Sequence, residues 1–77
     1  MAGKKPFKPE VFTKRFQQLS KEAGGNQVQL AEKIGMTQAT ISRYLNGAHP
    51  NLRAVCFIAQ SFAVSTDWLL GLKDQRR

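Results

Sequence analysis

Residues 27–46 read QVQLAEKIGMTQATISRYLN, and nearly every apolar or small residue in that stretch has a geometric task. Leu30, Ala31 and Ile34 recur at helical spacing, and Gly35 follows where a helix should end. Thr37 has an N-cap side chain, and Ile41, Tyr44 and Leu45 resume the helical stripe. Two short helices that approach closely need a small residue at their contact, which Ala31 supplies. The turn between them needs a residue tolerant of positive φ, which Gly35 supplies.

The same reasoning extends outward from this pair. Upstream, Val11, Phe12, Phe16 and Leu19 form one stripe between Pro9 or Glu10 and the Gly24-Gly25 stop, after which Asn26 caps the next helix. Downstream, Asn46-Gly47 ends the third helix, and Ala48-His49-Pro50 makes a loop. Asn51 is placed to cap a fourth helix with the stripe Leu52, Val55, Ile58, Ala59 and Phe62. Ser65 caps a short fifth helix from Thr66 to Leu70, closed by Gly71. No strand pattern, repeat or low-complexity tract intervenes. The expected fold is all-α, a compact five-helix domain over residues 9–72, flanked by a basic N-terminal arm at 1–8 and a basic tail at 73–77.

Composition limits what such a domain can do. The chain has 77 residues, 42% of them apolar, enough for one globular domain but not two. Twelve Lys and Arg against five Asp and Glu give +7 and a pI near 10.2, which favours a polyanionic partner. The charge is unevenly placed, however: +3 lies in residues 1–8, +2 in 73–77, and only +2 in 9–72. One cysteine, Cys56, rules out a disulfide framework and points to a reducing compartment. Cys56 itself reads as a small core residue of the fourth helix. The start MAGKKPFK lacks the apolar core of a secretory signal, and no run approaches the ~18 apolar residues of a membrane span. One histidine and one cysteine cannot complete a tetrahedral metal set. The expectation is a cytoplasmic binding domain, not an enzyme, with no cofactor, metal, membrane or small-molecule ligand.

The 27–46 pair follows the helix-turn-helix plan, in which the second helix is presented to the major groove of DNA. At 100° per residue, Ile41, Tyr44 and Leu45 share one side of that helix. Ala39, Ser42, Arg43 and Asn46 face the other, flanked by Gln38 and Thr40. This outer face carries amide, hydroxyl, methyl and guanidinium groups and no carboxylate. Gln can read adenine, Arg guanine, and a methyl group thymine. The plain alternative is a solvated polar face.

QVQLAEKIGM, TQATISRYLNG and FIAQSFAVSTDWLLG, in this order and spacing, resemble the phage repressor/Cro-type (lambda-repressor-like, XRE-type) helix-turn-helix regulators over roughly residues 10–72. The resemblance implies a bacterial or phage-encoded regulator that binds double-stranded operator DNA, usually as a two-fold homodimer. It implies docking by the N-terminal end of the third helix, so Gln38 and Ala39 lead the base-contacting set, with Ser42 and Arg43 behind them. Gln27 corresponds to a glutamine that touches a phosphate in the family. Thr37, Thr40 and Asn46 are placed for backbone contacts beside the groove, and Arg53 falls where relatives carry a cation near phosphate or the minor groove. Lys4 and Lys5 form either an arm around the duplex or a solvated tail. Relatives use the fifth helix and its end for dimer contact, which implies Trp68, Leu69 and Leu72, with Phe57 as an additional apolar contact; for Trp68 a core role is the competing reading.

One departure from the family is informative. Relatives often pair a Glu just before the terminal Asn-Gly with an Arg late in the first helix. Here those positions are Leu45 and Ser20. Losing both charges together can be neutral, whereas losing one strands the other. An apolar contact is expected in place of the ion pair. Two functions follow: a sequence-specific transcriptional regulator, with repressor as the first expectation, or an antitoxin- or antirepressor-like protein-interaction module on the same fold.

Overall fold

A computed structural model describes residues 8–77. Among these residues the chain forms five α-helices and no strand: α1 (Pro9–Glu22), α2 (Gln27–Ile34), α3 (Gln38–Leu45), α4 (Leu52–Phe62) and α5 (Thr66–Leu69). Proline opens α1 with its φ already suited to a helix, Glu10 lies in the first turn and Lys21 in the last, each complementing the helix dipole. The four later helices start on side-chain caps. The Asn26 side chain accepts from Val28 and Gln29 N–H, Thr37 from Thr40, Asn51 from Ala54, and Ser65 from Asp67 and Trp68. Each cap satisfies donors that a helix start otherwise leaves unpaired.

α2 and α3 pack on each other, with α1 against α3 and α4 against α2, while α5 rests on both α1 and α4. Phe12, Phe16 and Leu19 of α1 are fully buried together with Ile41, Ile58 and Leu69. Phe12 stacks on Phe16 at 5.8 Å and meets the edge of Tyr44 at 6.0 Å, joining α1 to α3. Gly35 takes φ +86 at the end of α2, as the turn requires. Gly71, at φ +82, lies so near α1 that a Cβ there would meet Val11 Cγ1 at 2.8 Å.

Three features depart from the expected pattern. Leu52, expected on the buried stripe of α4, is 79% exposed. It is the first residue of that helix, and the stripe proper begins with Ala54 and Val55. α4 ends on Ala63 at φ 55, a left-handed conformation unusual for a residue with a Cβ. The C-terminal segment is folded back rather than trailing as a tail. The Ser65 N–H donates to the Arg76 carbonyl, and Arg76 pairs with Glu22 of α1 at 2.9 Å.

Candidate nucleic-acid interface

The cap at Thr37 and the stripe Ile41–Tyr44 fix which way α3 faces. With Ile41 and Tyr44 turned into the core, Gln38, Ala39 and Arg43 are exposed and Ser42 is half-buried. α3 has the sequence QATISRYL, without a carboxylate. Among the described residues, the Arg43 guanidinium makes no hydrogen bond, ion pair or ring contact, so its donors remain available to an acceptor outside the chain. A planar guanidinium with unengaged donors suits the two acceptors on a guanine edge, and Gln38 presents the donor–acceptor pair that fits adenine.

The groups around this face differ in readiness. Thr37 and Thr40 hydroxyls lie 2.8 Å apart. One O–H bonds the other, leaving one hydroxyl hydrogen free to donate outward. Gln27 is half-buried at the first position of α2, beside the amides of its opening turn. Asn46 turns its amide donor inward, to the Ser42 carbonyl at 2.8 Å and Ser42 Oγ at 3.4 Å, so it serves first as the stop of α3. Arg53 is exposed, with its guanidinium 5.4 Å above the Phe57 ring. Lys4 and Lys5 lie outside the described residues.

The apolar residues expected at a dimer contact fall into two groups. Trp68 is 4% exposed and Leu69 fully buried, so both belong to the core of the single chain and offer no surface to a partner. The cause is visible around the indole. Arg15 lies over it at 5.0 Å and Arg76 at 5.1 Å, and Arg15 also donates to the carbonyls of Trp68 and Lys73. Phe57 is half-buried, packed against the core beneath Arg53, and is not a free apolar contact. Leu72 does remain exposed, at 43%. It shares an apolar groove with Leu52, Pro50, Val55 and Leu70.

The family's missing ion pair has an apolar substitute. Leu45 packs against the core and Ser20 is buried. Gln17 contributes a polar link that the sequence pattern did not reveal: its Nε2 donates to the Leu45 carbonyl at 2.8 Å, capping the end of α3 from α1.

Comparison with known proteins agrees with this arrangement. No solved structure matches the chain. A family model described as Helix-turn-helix matches residues 17–69, from the middle of α1 to the end of α5. Among the described residues no helix is long and apolar enough to cross a membrane. With α3 capped, packed on α2 and turned outward on its polar face, and with this match running from the second half of α1 through α5, the chain belongs to the XRE/lambda-repressor-type helix-turn-helix family of DNA-binding regulators.

Proposed function

We propose that the protein is a repressor that reads operator DNA by laying α3 in the major groove, as a two-fold dimer on a near-palindromic site. The observation that carries this reading is the outer face of α3, where Gln38, Ala39 and Arg43 stand exposed on a helix that itself carries no carboxylate. Gln38 and Ala39 contact bases first, Arg43 a turn later, and Ser42 at the edge of the set. Gln27, Thr37, Thr40 and Arg53 hold the sugar–phosphate backbone, aided by Lys4, Lys5 and, less directly, Asn46. One helix reads only a few base pairs, so discrimination against a genome requires two half-sites about one turn (~10–10.5 bp) apart.

What supports a second copy as partner is the apolar groove beside α4. Leu52 is 79% exposed and Leu72 43%, and the two line one groove with Pro50, Val55 and Leu70, an apolar surface that a second copy could cover. With Trp68 and Leu69 buried, the expected contact keeps Leu72 and gains Leu52. Replacing Leu52 with Glu should leave the stability of the single chain within about 0.5 kcal/mol, because the side chain lies on the surface. In sedimentation it should shift the protein to monomer. A dimer undiminished by the change would place the contact elsewhere.

Selection of a randomised duplex library at roughly physiological salt tests the whole reading, because non-specific phosphate attraction fades there and base readout remains. A recovered near-palindrome with half-sites one turn apart is the expected result. A folded protein that enriches no duplex would instead favour the protein-interaction module. The exposed Leu52 and Leu72 would then serve a different protein partner.

A further inference from the structure

The two ends of α3 are held by different means. Its start is fixed locally: Thr37 Oγ1 takes the Thr40 N–H, and the Gly35 and Met36 N–H groups both donate to the Ala31 carbonyl, tying the turn to α2. The far end is closed only in part by the chain that follows it. The Ser42 carbonyl takes the Asn46 backbone N–H and side-chain amide, the Arg43 carbonyl takes the Ala48 N–H, and the Tyr44 carbonyl takes the Gly47 N–H. The Leu45 carbonyl takes none of these donors. Its donor comes from α1, where Gln17 Nε2 reaches it at 2.8 Å from a position 28 residues away in the chain.

What this bond adds is direction. Ile41 and Tyr44 bury the inner face of α3, and Phe12 of α1 meets the edge of Tyr44 at 6.0 Å. Apolar burial is non-directional, whereas a hydrogen bond weakens steeply with distance and angle. α3 has eight residues, so it is about 12 Å long at 1.5 Å per residue. A tilt of about 5° around its capped start would move the far end by about 1 Å, and a hydrogen bond lengthened by that much is lost. Arg43 lies in the last turn of α3, beside the tie to α1, whereas Gln38 opens the first.

We propose that Gln17 is a positioning residue for DNA reading: its bond to the Leu45 carbonyl sets the tilt of α3 against α1, and so decides which base edge the Arg43 guanidinium reaches. The proposal rests on the DNA-reading assignment above and deepens it, placing part of the specificity in a side chain outside the α2–α3 pair. Because the start of α3 is fixed separately, the bases met by Gln38 do not depend on Gln17. A residue that only added stability would act on every base position alike.

The full chain is titrated with its selected duplex and with versions substituted one base pair at a time. R43A and Q38A first identify the positions that each side chain reads, as those where discrimination disappears. Q17M keeps the length of the side chain and removes the donor. At the Arg43 position it should lower discrimination about three- to tenfold, the scale of one hydrogen bond, and at the Gln38 position leave it unchanged. In the R43A background it should cost nothing further. Q17K restores a donor one bond further out and should recover the discrimination. Its added charge raises affinity for every duplex alike and cancels in the ratio. Gln17 is exposed, so Q17M should move the thermal midpoint by no more than about 4 °C. Equal losses at both positions, no loss at either, or a loss that Q17K does not recover overturns the assignment. Should no duplex be enriched, the DNA reading falls, and nitrogen-15 relaxation of the free protein decides the rest. Q17M that loosens the amides of Tyr44, Leu45 and Asn46 but not those of Gln38 and Ala39 would keep Gln17 as the residue that positions α3. Amides that Q17M leaves unmoved overturn the tie as well.

Discussion

Arginines serve opposite purposes on the two sides of this small domain. Around Trp68, Arg15 and Arg76 both cover the indole, Arg15 donates to the Trp68 and Lys73 carbonyls, and Arg76 pairs with Glu22. On the α3 side, Arg43 makes no hydrogen bond, ion pair or ring contact within the described chain, and Arg53 is held over Phe57 without an acidic partner. The net charge of +7 does not distinguish these uses. Two of the cations it counts are structural, so the capacity to bind a polyanion depends on those whose donors remain open. The Trp68 side therefore holds the domain together, and the α3 side is available for recognition.

The sharpest way to break this division is to replace Trp68 with Ala. If the indole is core, as its 4% exposure indicates, the loss should be about 3–5 kcal/mol. That is a large part of the stability of a domain this small, and most of the protein should melt at moderate denaturant. Chemical denaturation at two protein concentrations tests it. A loss that disappears on dilution, together with a shift in oligomeric state, would mean that the indole acts mainly in an interface.

On the opposite side the pattern should invert. Gln38→Ala and Arg43→Ala should each leave folding stability within about 0.5 kcal/mol, since both side chains are exposed. Each should cost about 1–3 kcal/mol of discrimination at one or two base positions, read by competition between the selected duplex and point-substituted versions. Equal losses on operator and random duplex would reduce these residues to general phosphate contacts.

What the sequence allowed one to read was what is local. Asn26, Thr37, Asn51 and Ser65 were identifiable as caps because a capping side chain and the backbone N–H that donates to it lie two or three residues apart. The outer face of α3 followed from Ile41 and Tyr44, because helical periodicity assigns both faces together. Contacts over longer separations were hidden. Nothing near Gln17 in the chain announces that it caps Leu45, 28 residues away, nor does Arg76 declare its bond to Glu22, 54 residues away. Leu52 misled because periodicity says which positions share a helix face, not how far toward its N-terminus the neighbouring core extends. Trp68 could be read either way, since burial under two arginines depends on where the chain end folds.

A gentler change should strengthen the structural side without altering recognition. Ala63 ends α4 at φ 55 and ψ 42, where a Cβ crowds the backbone and glycine does not. It is exposed, so removing its methyl group costs little packing. Ala63→Gly should raise stability by about 0.5–1 kcal/mol, the relief of the left-handed strain less the added freedom of the unfolded chain. Duplex affinity should be unchanged. Thermal unfolding and DNA titration of the same preparation test both halves, and a destabilised variant would show that the Ala63 conformation carries no strain.

The smallest effect concerns the clasp that the Arg76–Glu22 pair forms between the C-terminal segment and α1. Hydrogen bonds from Arg76 hold the Glu22 carboxyl below its ordinary range, with a smaller opposing push from burial and further help from Gln18. A carboxylate with a lowered folded pKa adds stability that is fully present above its unfolded value, about 4.3. That stability is lost as pH falls through the lower folded value. The contribution is modest because both side chains are about two-fifths exposed and Arg76 Nε is buried without a partner, which offsets part of the pairing. Glu22→Gln should therefore melt slightly below wild type near neutral pH, and the gap should close once pH falls below the folded pKa of Glu22. High salt at neutral pH should narrow it too, since an exposed pair is screened. A gap that persists unchanged in acid would mean that Arg76 is held by Trp68 and the Ser65 amide, with Glu22 an incidental neighbour. The division between the two sides would survive, but the clasp would then be aromatic and backbone in nature rather than ionic.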